Sequence, residues 1–183
     1  MLAKKNAGHV EMIIGPMFSG KTTELLRIIR RYEIARQNCL LIKHGVDVRY
    51  SACDISTHDK IQREAVSCTS LLGLGEEIFE DMTVIGIDEG QFFEDLSEFC
   101  EQMSDKGRIV VVSALSGTFE RKLFKSVEEM LPHVDVLTHL TAVCMDCGKD
   151  APFTKRTSVC KSIVEIGGKD KYKAVCRHCW LKK

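Results

Sequence analysis

Short apolar runs alternate with amphipathic stretches along this chain. Residues 10–14, 39–43, 83–87, 108–114 and 134–140 read as strands, and residues 21–37, 70–80, 94–104 and 121–130 read as helices. In the first helix Leu25, Ile28, Ile29 and Tyr32 recur at helical spacing, so one face packs inward. Arg27, Arg30, Arg31 and Arg36 mostly fall elsewhere and read as a solvated face, with a nucleic-acid patch as the alternative. Strand and helix signals alternate from residue 9 to about 140, the order that a mainly parallel α/β sheet flanked by helices requires.

The first strand-to-helix junction carries the most specific chemistry. Gly15, Pro16, Met17, Phe18, Ser19, Gly20, Lys21 and Thr22 match G-x-x-x-x-G-K-[ST] at every position, between a strand and a helix as that motif demands. Backbone N–H groups of such a loop converge on phosphate oxygens. Lys21 adds a point charge for the β- and γ-phosphates, and the Thr22 hydroxyl is placed to ligate Mg²⁺. Gly20 lets the backbone approach the anion where a Cβ would intrude. This pattern predicts binding of a nucleoside triphosphate on a P-loop NTPase-type sheet.

Its acidic counterpart should end a buried strand, and Asp88-Glu89 follow the run 83–87. Asp88 would hold Mg²⁺ directly or through water. Glu89 would polarise an attacking oxygen, from water in an ATPase or from a substrate hydroxyl in a kinase; a plain helix-capping carboxylate is the structural alternative.

The pattern changes after Leu140. Residues 141–183 have too little apolar material to fold alone, which predicts a division into an α/β unit, 1–140, and a small stapled unit, 141–183. The staple is Cys144-x-x-Cys147 with Cys176-x-x-Cys179, two knuckles that complete a tetrahedral Zn²⁺ site. Four thiolates leave no open coordination position, so this zinc is structural; a redox pair is the alternative. Cys39 and Cys100 lie within apolar patterns and read as small core residues. Between the knuckles, Gly167-Gly168 follows a strand-like run and gives a tight turn, read either as a ligand-ordering loop or as the surface loop of a zinc ribbon.

Composition narrows the partners. The 183 residues suit one compact domain with an appendage, too short for two ATPase domains. Lysine plus arginine balance aspartate plus glutamate at 26 each, so nothing draws the whole chain to nucleic acid or membrane. No 18-residue apolar stretch exists and the N-terminus lacks a signal-peptide core, which predicts a soluble cytoplasmic protein. The odd count of nine cysteines agrees with a reducing compartment. An ATPase acting on nucleic acid is the rival to a kinase, opposed by the neutral charge and the length.

Gly15-Pro-Met-Phe-Ser-Gly-Lys21, the run from Ile85 through Asp88-Glu89-Gly90-Gln91-Phe92 to Phe93, and Gly117-Thr-Phe119 resemble the type II thymidine kinases, the cellular and poxvirus class. The run from Leu140 to Met145, and Ile166-Gly-Gly168 with Asp170-Lys-Tyr172, extend the likeness from about His9 to Trp180. The resemblance implies transfer of the γ-phosphate of ATP to the 5′-hydroxyl of thymidine, and of deoxyuridine, in pyrimidine deoxynucleotide salvage for DNA synthesis. By motif it makes Glu89 the general base and Asp88 the Mg²⁺ organiser, with Asp47, Val48 and Arg49 near the phosphates and Gly90 and Gln91 beside them. It puts Met17, Phe92, Leu115, Phe119 and Phe124 around the nucleoside. Thr154, Ile163, Val164, Glu165, Ile166, Gly167 and Tyr172 fall in a lasso-like loop that closes over the base. A homotetramer and inhibition by thymidine triphosphate are further implications. The chain departs from the family pattern at Ser116 for aspartate, Glu120 for glutamine and Leu123 for proline. Thr57-His58-Asp59 also match and carry no assigned role.

Overall fold

A computed structural model of the chain describes residues 8–45, 54–56, 62–157, 167–168 and 170–182. In chain order the elements are β1 (His9–Gly15), α1 (Lys21–Ile34), β2 (Cys39–His44), β3 (Asp54–Ser56), β4 (Gln62–Glu64), β5 (Val66–Cys68) and β6 (Val84–Asp88). Then come α2 (Leu96–Asp105), β7 (Ile109–Leu115), α3 (Lys125–Met130), β8 (Val136–His139), β9 (Ala142–Val143), β10 (Asp150–Ala151), β11 (Phe153–Arg156), β12 (Tyr172–Val175) and α4 (Arg177–Leu181).

Six strands form one sheet in the order β5-β2-β6-β7-β1-β8, and every pairing in it is parallel. Side chains alternate across it because successive Cβ atoms of a strand point to opposite faces. Val10, Met12, Ile85, Ile87, Val110 and Val112 meet Leu96, Phe99, Cys100 and Met103 of α2 and Val127 and Met130 of α3 on one face. Ile13, Leu41, Val84 and Val111 meet Leu25 and Ile29 of α1 on the other. Gly86 belongs to the α1 face, where an added Cβ would lie 2.8 Å from Leu41 Cδ2 and 2.9 Å from Ile29 Cδ1. Its bare backbone lets that helix pack close. Among the described residues no helix is long and apolar enough to cross a membrane.

The expected strands are all present, with ends shifted by a residue or two. Three helices differ for identifiable reasons. α1 stops at Ile34 because Arg36 turns left-handed (φ 60°), and the N–H groups of Gln37 and Arg36 close on the carbonyls of Tyr32 and Glu33. The segment 70–80 yields only a 3₁₀ turn, Glu76–Phe79, because Gly73 and Gly75 interrupt it. Asp95 also captures the N–H of Leu72 (2.9 Å) and the Ser70 hydroxyl (2.7 Å). α3 begins only at Lys125, since Thr118 N–H bonds Lys122 O at 2.8 Å and Arg121 takes φ 62°.

The remaining strands make two-stranded antiparallel pairs: β3 with β4, β9 with β10, and β11 with β12. The last two pairs and α4 surround a small core of Ala142, Ala151, Ala174, Val175 and three of the cysteines.

Phe99 is fully buried beside Phe79, ring centroids 5.5 Å apart. Truncating it to alanine should cost about 3–5 kcal/mol. At roughly 2–4 °C per kcal/mol, melting followed by circular dichroism should fall by on the order of 10 °C. A fall within about 2 °C would show that α2 is not anchored through this ring.

Candidate active site

The carboxyl ends of β1, β6 and β7 lie side by side, and the chain leaves each through a loop of functional residues. After Gly15 the loop turns at Phe18 (φ 67°) and again at Gly20 (φ 82°), then enters the 14-residue α1. Left-handed residues of this kind turn successive N–H groups toward one concavity, and the positive end of the helix dipole adds to it. Pro16 O accepts from Lys21 Nζ and from Ser19 Oγ, both at 2.9 Å. Met17 N–H donates to Thr154 Oγ1 at 2.9 Å.

Opposite the loop, Asp88 ends β6 almost completely buried. Thr22 Oγ1 donates to its two oxygens at 3.2 and 3.1 Å, and Ser113 Oγ donates to Oδ1. Burial first, and then the Glu89 carboxylate, raise the Asp88 pKa to about 6, against the two hydroxyls and Lys21. A hydroxyl on Thr22 and a carboxylate on Asp88, from separate elements, therefore lie side by side, a donor set that suits Mg²⁺.

Glu89 is the outlier of the site. It sits at φ 55°, ψ 40°, left-handed without being glycine, which costs on the order of 1–3 kcal/mol unless its surroundings hold it. The brace is Gln91, buried in the following 3₁₀ turn, whose Nε2 donates to Glu89 Oε2 at 2.6 Å. Gln91 Oε1 accepts from Leu115 N–H at 2.9 Å, and its carbonyl accepts from Ser126 Oγ at 2.8 Å. The Glu89 carboxylate is thus tied to the end of β7 and the start of α3.

The expected nucleoside residues gather in two groups. Phe92 and Phe124 meet edge to face at 6.4 Å, with the His44 ring 5.7 Å from Phe92. Phe119 lies under the Arg156 guanidinium, 3.9 Å from its ring centre, and Arg156 Nη2 donates to the Tyr172 hydroxyl at 2.7 Å. Leu115 is partly buried at the end of β7, beside Gln91. Gly167 is described, next to the Lys171 side chain, whereas Asp47, Val48, Arg49, Ile163, Val164, Glu165 and Ile166 lie outside the described residues. Two contributors escaped sequence reasoning. Ser113 is the one polar residue in the run Ile109–Leu115, a signal that was there to find. Arg156 shares a face of β11 with Thr154 and offered no such signal.

Cys144, Cys147, Cys176 and Cys179 bring their Sγ atoms within 4.8 Å of one another. Cys147 and Cys176 stand 3.6 Å apart, far beyond a disulfide and close to the ~3.8 Å edge of a tetrahedron with Zn–S near 2.3 Å. For Cys144 burial opposes ionisation, but the N–H groups of Cys176, Asp146 and Cys147 outweigh it and lower its pKa to about 6. Burial and the neighbouring cysteines push Cys179 up to about 12. A cluster in which one thiolate forms readily and the next resists is what a dication resolves, so the residues fit zinc.

A thymidine kinase family model matches residues 8–180. The thymidine kinase of raccoon poxvirus is 49% identical over 178 residues, 97% of this chain and 99% of its own. That of vaccinia virus strain Western Reserve is 51% identical over 176 residues (96% and 98%), and that of rabbit fibroma virus strain Kasza 48% over 174 (95% and 97%). With the G-x-x-x-x-G-K-T loop at the end of β1, and Asp88 and Glu89 at the end of β6 with β7 between them, these likenesses run nearly end to end: the chain belongs to the thymidine kinase family.

Proposed function

We propose that this protein transfers the γ-phosphate of ATP to the 5′-hydroxyl of thymidine, and of deoxyuridine, giving the monophosphate for deoxynucleotide salvage. The observation that carries the reading is Glu89, strained and braced at the mouth of the phosphate site instead of relaxed into a helix cap. In this reading residues 1–140 are the nucleotide-binding domain and 141–183 a zinc-held subdomain bearing the base-closing loop. The family likeness supports a cytoplasmic homotetramer.

The backbone of residues 15–22 cradles the β- and γ-phosphates and Lys21 moves onto them. Thr22 and Asp88 would hold Mg²⁺, which would supply charge neutralisation for the transferring phosphoryl group. Glu89 takes the proton as the 5′-oxygen bonds the γ-phosphorus and the bond to the β-phosphate oxygen breaks, leaving ADP. Asp47, Val48 and Arg49 flank the phosphates. Phe92, Phe124, Leu115, Phe119 and Met17 enclose the nucleoside. Main-chain groups of Ile163, Val164, Glu165, Ile166 and Gly167, with Thr154 and Tyr172, satisfy the edge of the pyrimidine, and a wrong base leaves buried polar atoms unpaired. A niche for the 5-methyl group discriminates by only about 1–3 kcal/mol, so deoxyuridine remains a substrate.

Incubation with ATP, Mg²⁺ and a panel of nucleosides tests this directly. Thymidine and deoxyuridine monophosphates should form, and hydrolysis of ATP indifferent to nucleoside would refute the assignment. Glu89→Gln should reduce kcat by about 10²–10⁴-fold, with ATP and thymidine still bound in equilibrium dialysis. Near-normal turnover would place the proton acceptor elsewhere.

The raised pKa of Asp88 has a stability signature. Ionising this group in the folded protein costs stability at neutral pH, and the cost fades as pH falls through about 6 towards the ordinary aspartate value of 3.8. In magnesium-free buffer the melting temperature of Asp88→Asn should therefore gain on the parent at pH 8, and the gap should close between pH 6 and about 4. A gap independent of pH would contradict it.

Purified protein should carry one zinc per chain by metal analysis. Its removal with a chelator should expose four titratable thiols and abolish thymidine binding while the far-ultraviolet spectrum of the sheet survives. Unchanged thymidine affinity after complete removal would dissociate the metal from substrate recognition.

A further inference from the structure

Strand β11 uses its two faces differently. Phe153 and Lys155 point one way: the Phe153 ring packs on Trp180 at 5.9 Å, and Lys155 Nζ donates to the carbonyls of Trp180 (3.2 Å) and Lys182 (2.8 Å). Thr154 and Arg156, offset by one residue, point the other way. There Thr154 Oγ1 accepts from Met17 N–H of the phosphate loop, and Arg156 covers Phe119 of the loop 116–124. Phe18, also from the phosphate loop, packs against the cysteine-lined core. Arg121, from the second loop, lies 5.1 Å over Trp180 and 5.7 Å over Phe153. Two loops about a hundred residues apart in the chain thus meet on three residues of one strand, Phe153, Thr154 and Arg156. β12 backs that strand in register, Thr154 against Ala174 and Arg156 against Tyr172.

We propose that Thr154 and Arg156 make β11 a coupling element, so that nucleotide on the phosphate loop and nucleoside beside Phe119 each bind more tightly when the other is present. The inference rests on the two-substrate reading above. A phosphate bound by residues 15–22 fixes the backbone at Met17, and through Thr154 it fixes β11. Arg156 then holds Phe119 at a set position, and the nucleoside has less left to order. By linkage the same factor acts in reverse. Arg156 is in this scheme a positioning residue, acting through Phe119 and the Tyr172 hydroxyl.

Calorimetric titration of thymidine into zinc-loaded full-length protein, with and without a saturating non-hydrolysable ATP analogue and Mg²⁺, tests the coupling. The analogue should lower the thymidine Kd by about fivefold or more, and thymidine should lower the Kd of the analogue by the same factor. Arg156→Met should bring that ratio towards one while the analogue alone binds as in the parent. Tyr172→Phe, which removes a single hydroxyl, should move the ratio the same way by less, and Arg156→Lys should keep part of it. A purely structural loss would weaken both Kd values and leave their ratio unchanged. That outcome, or a ratio of one in the parent, overturns the proposal. Failure of the parent to bind thymidine at all would remove the two-substrate reading and this inference with it.

Discussion

A carboxylate taken out of water at the end of a central strand has to be answered by its neighbours, and the answer here organises the site. Asp88 receives hydroxyl donors from the first turn of α1 and from β7, elements far apart in the sequence. Thr22 can reach it only because α1 starts at Lys21, where the loop after β1 ends. Ser113 can reach it only because β7 runs in register beside β6, Ile87 opposite Val112. The loop, the helix and both strands are therefore positioned by the same requirement that buried polar groups be paired.

The neighbouring glutamate is governed by geometry more than by charge. Its left-handed backbone aims the side chain along a direction that an ordinary strand exit would not give, and Gln91 holds it there with an amide whose other end is anchored to Leu115. The surroundings are tight: β6 is fully buried, and a Cβ added at Gly90 would lie 2.7 Å from Val112 Cγ1. Local conformation is given up to orient one carboxylate.

Much of this was legible in the chain itself. Buried parallel strands advertise themselves as apolar runs, the phosphate loop has a fixed spacing, and paired C-x-x-C knuckles admit few readings, so the five expected strands, the loop and the cysteine cluster all appear where the pattern put them. Helix lengths were harder. Gly73 and Gly75 break the segment after Ser70, and the left-handed residues Arg36 and Arg121 end one helix early and delay another. Backbone reversals at arginine leave no mark in an apolar pattern. The Arg156–Phe119 contact was equally invisible, because it joins residues 37 positions apart through a ring face and not through a spacing rule.

The resting contact of Lys21 has its own bearing on selectivity. Its ammonium already has a neutral oxygen, that of Pro16, inside the loop. A polyphosphate that captured this ammonium would exchange one acceptor for another at that contact. On the proposed reaction the gain would lie in swapping a carbonyl dipole for an anion, which would make the loop a gauge of charge: ligands ending in a doubly ionised phosphoryl group would profit most, and uncharged mimics of the same shape least.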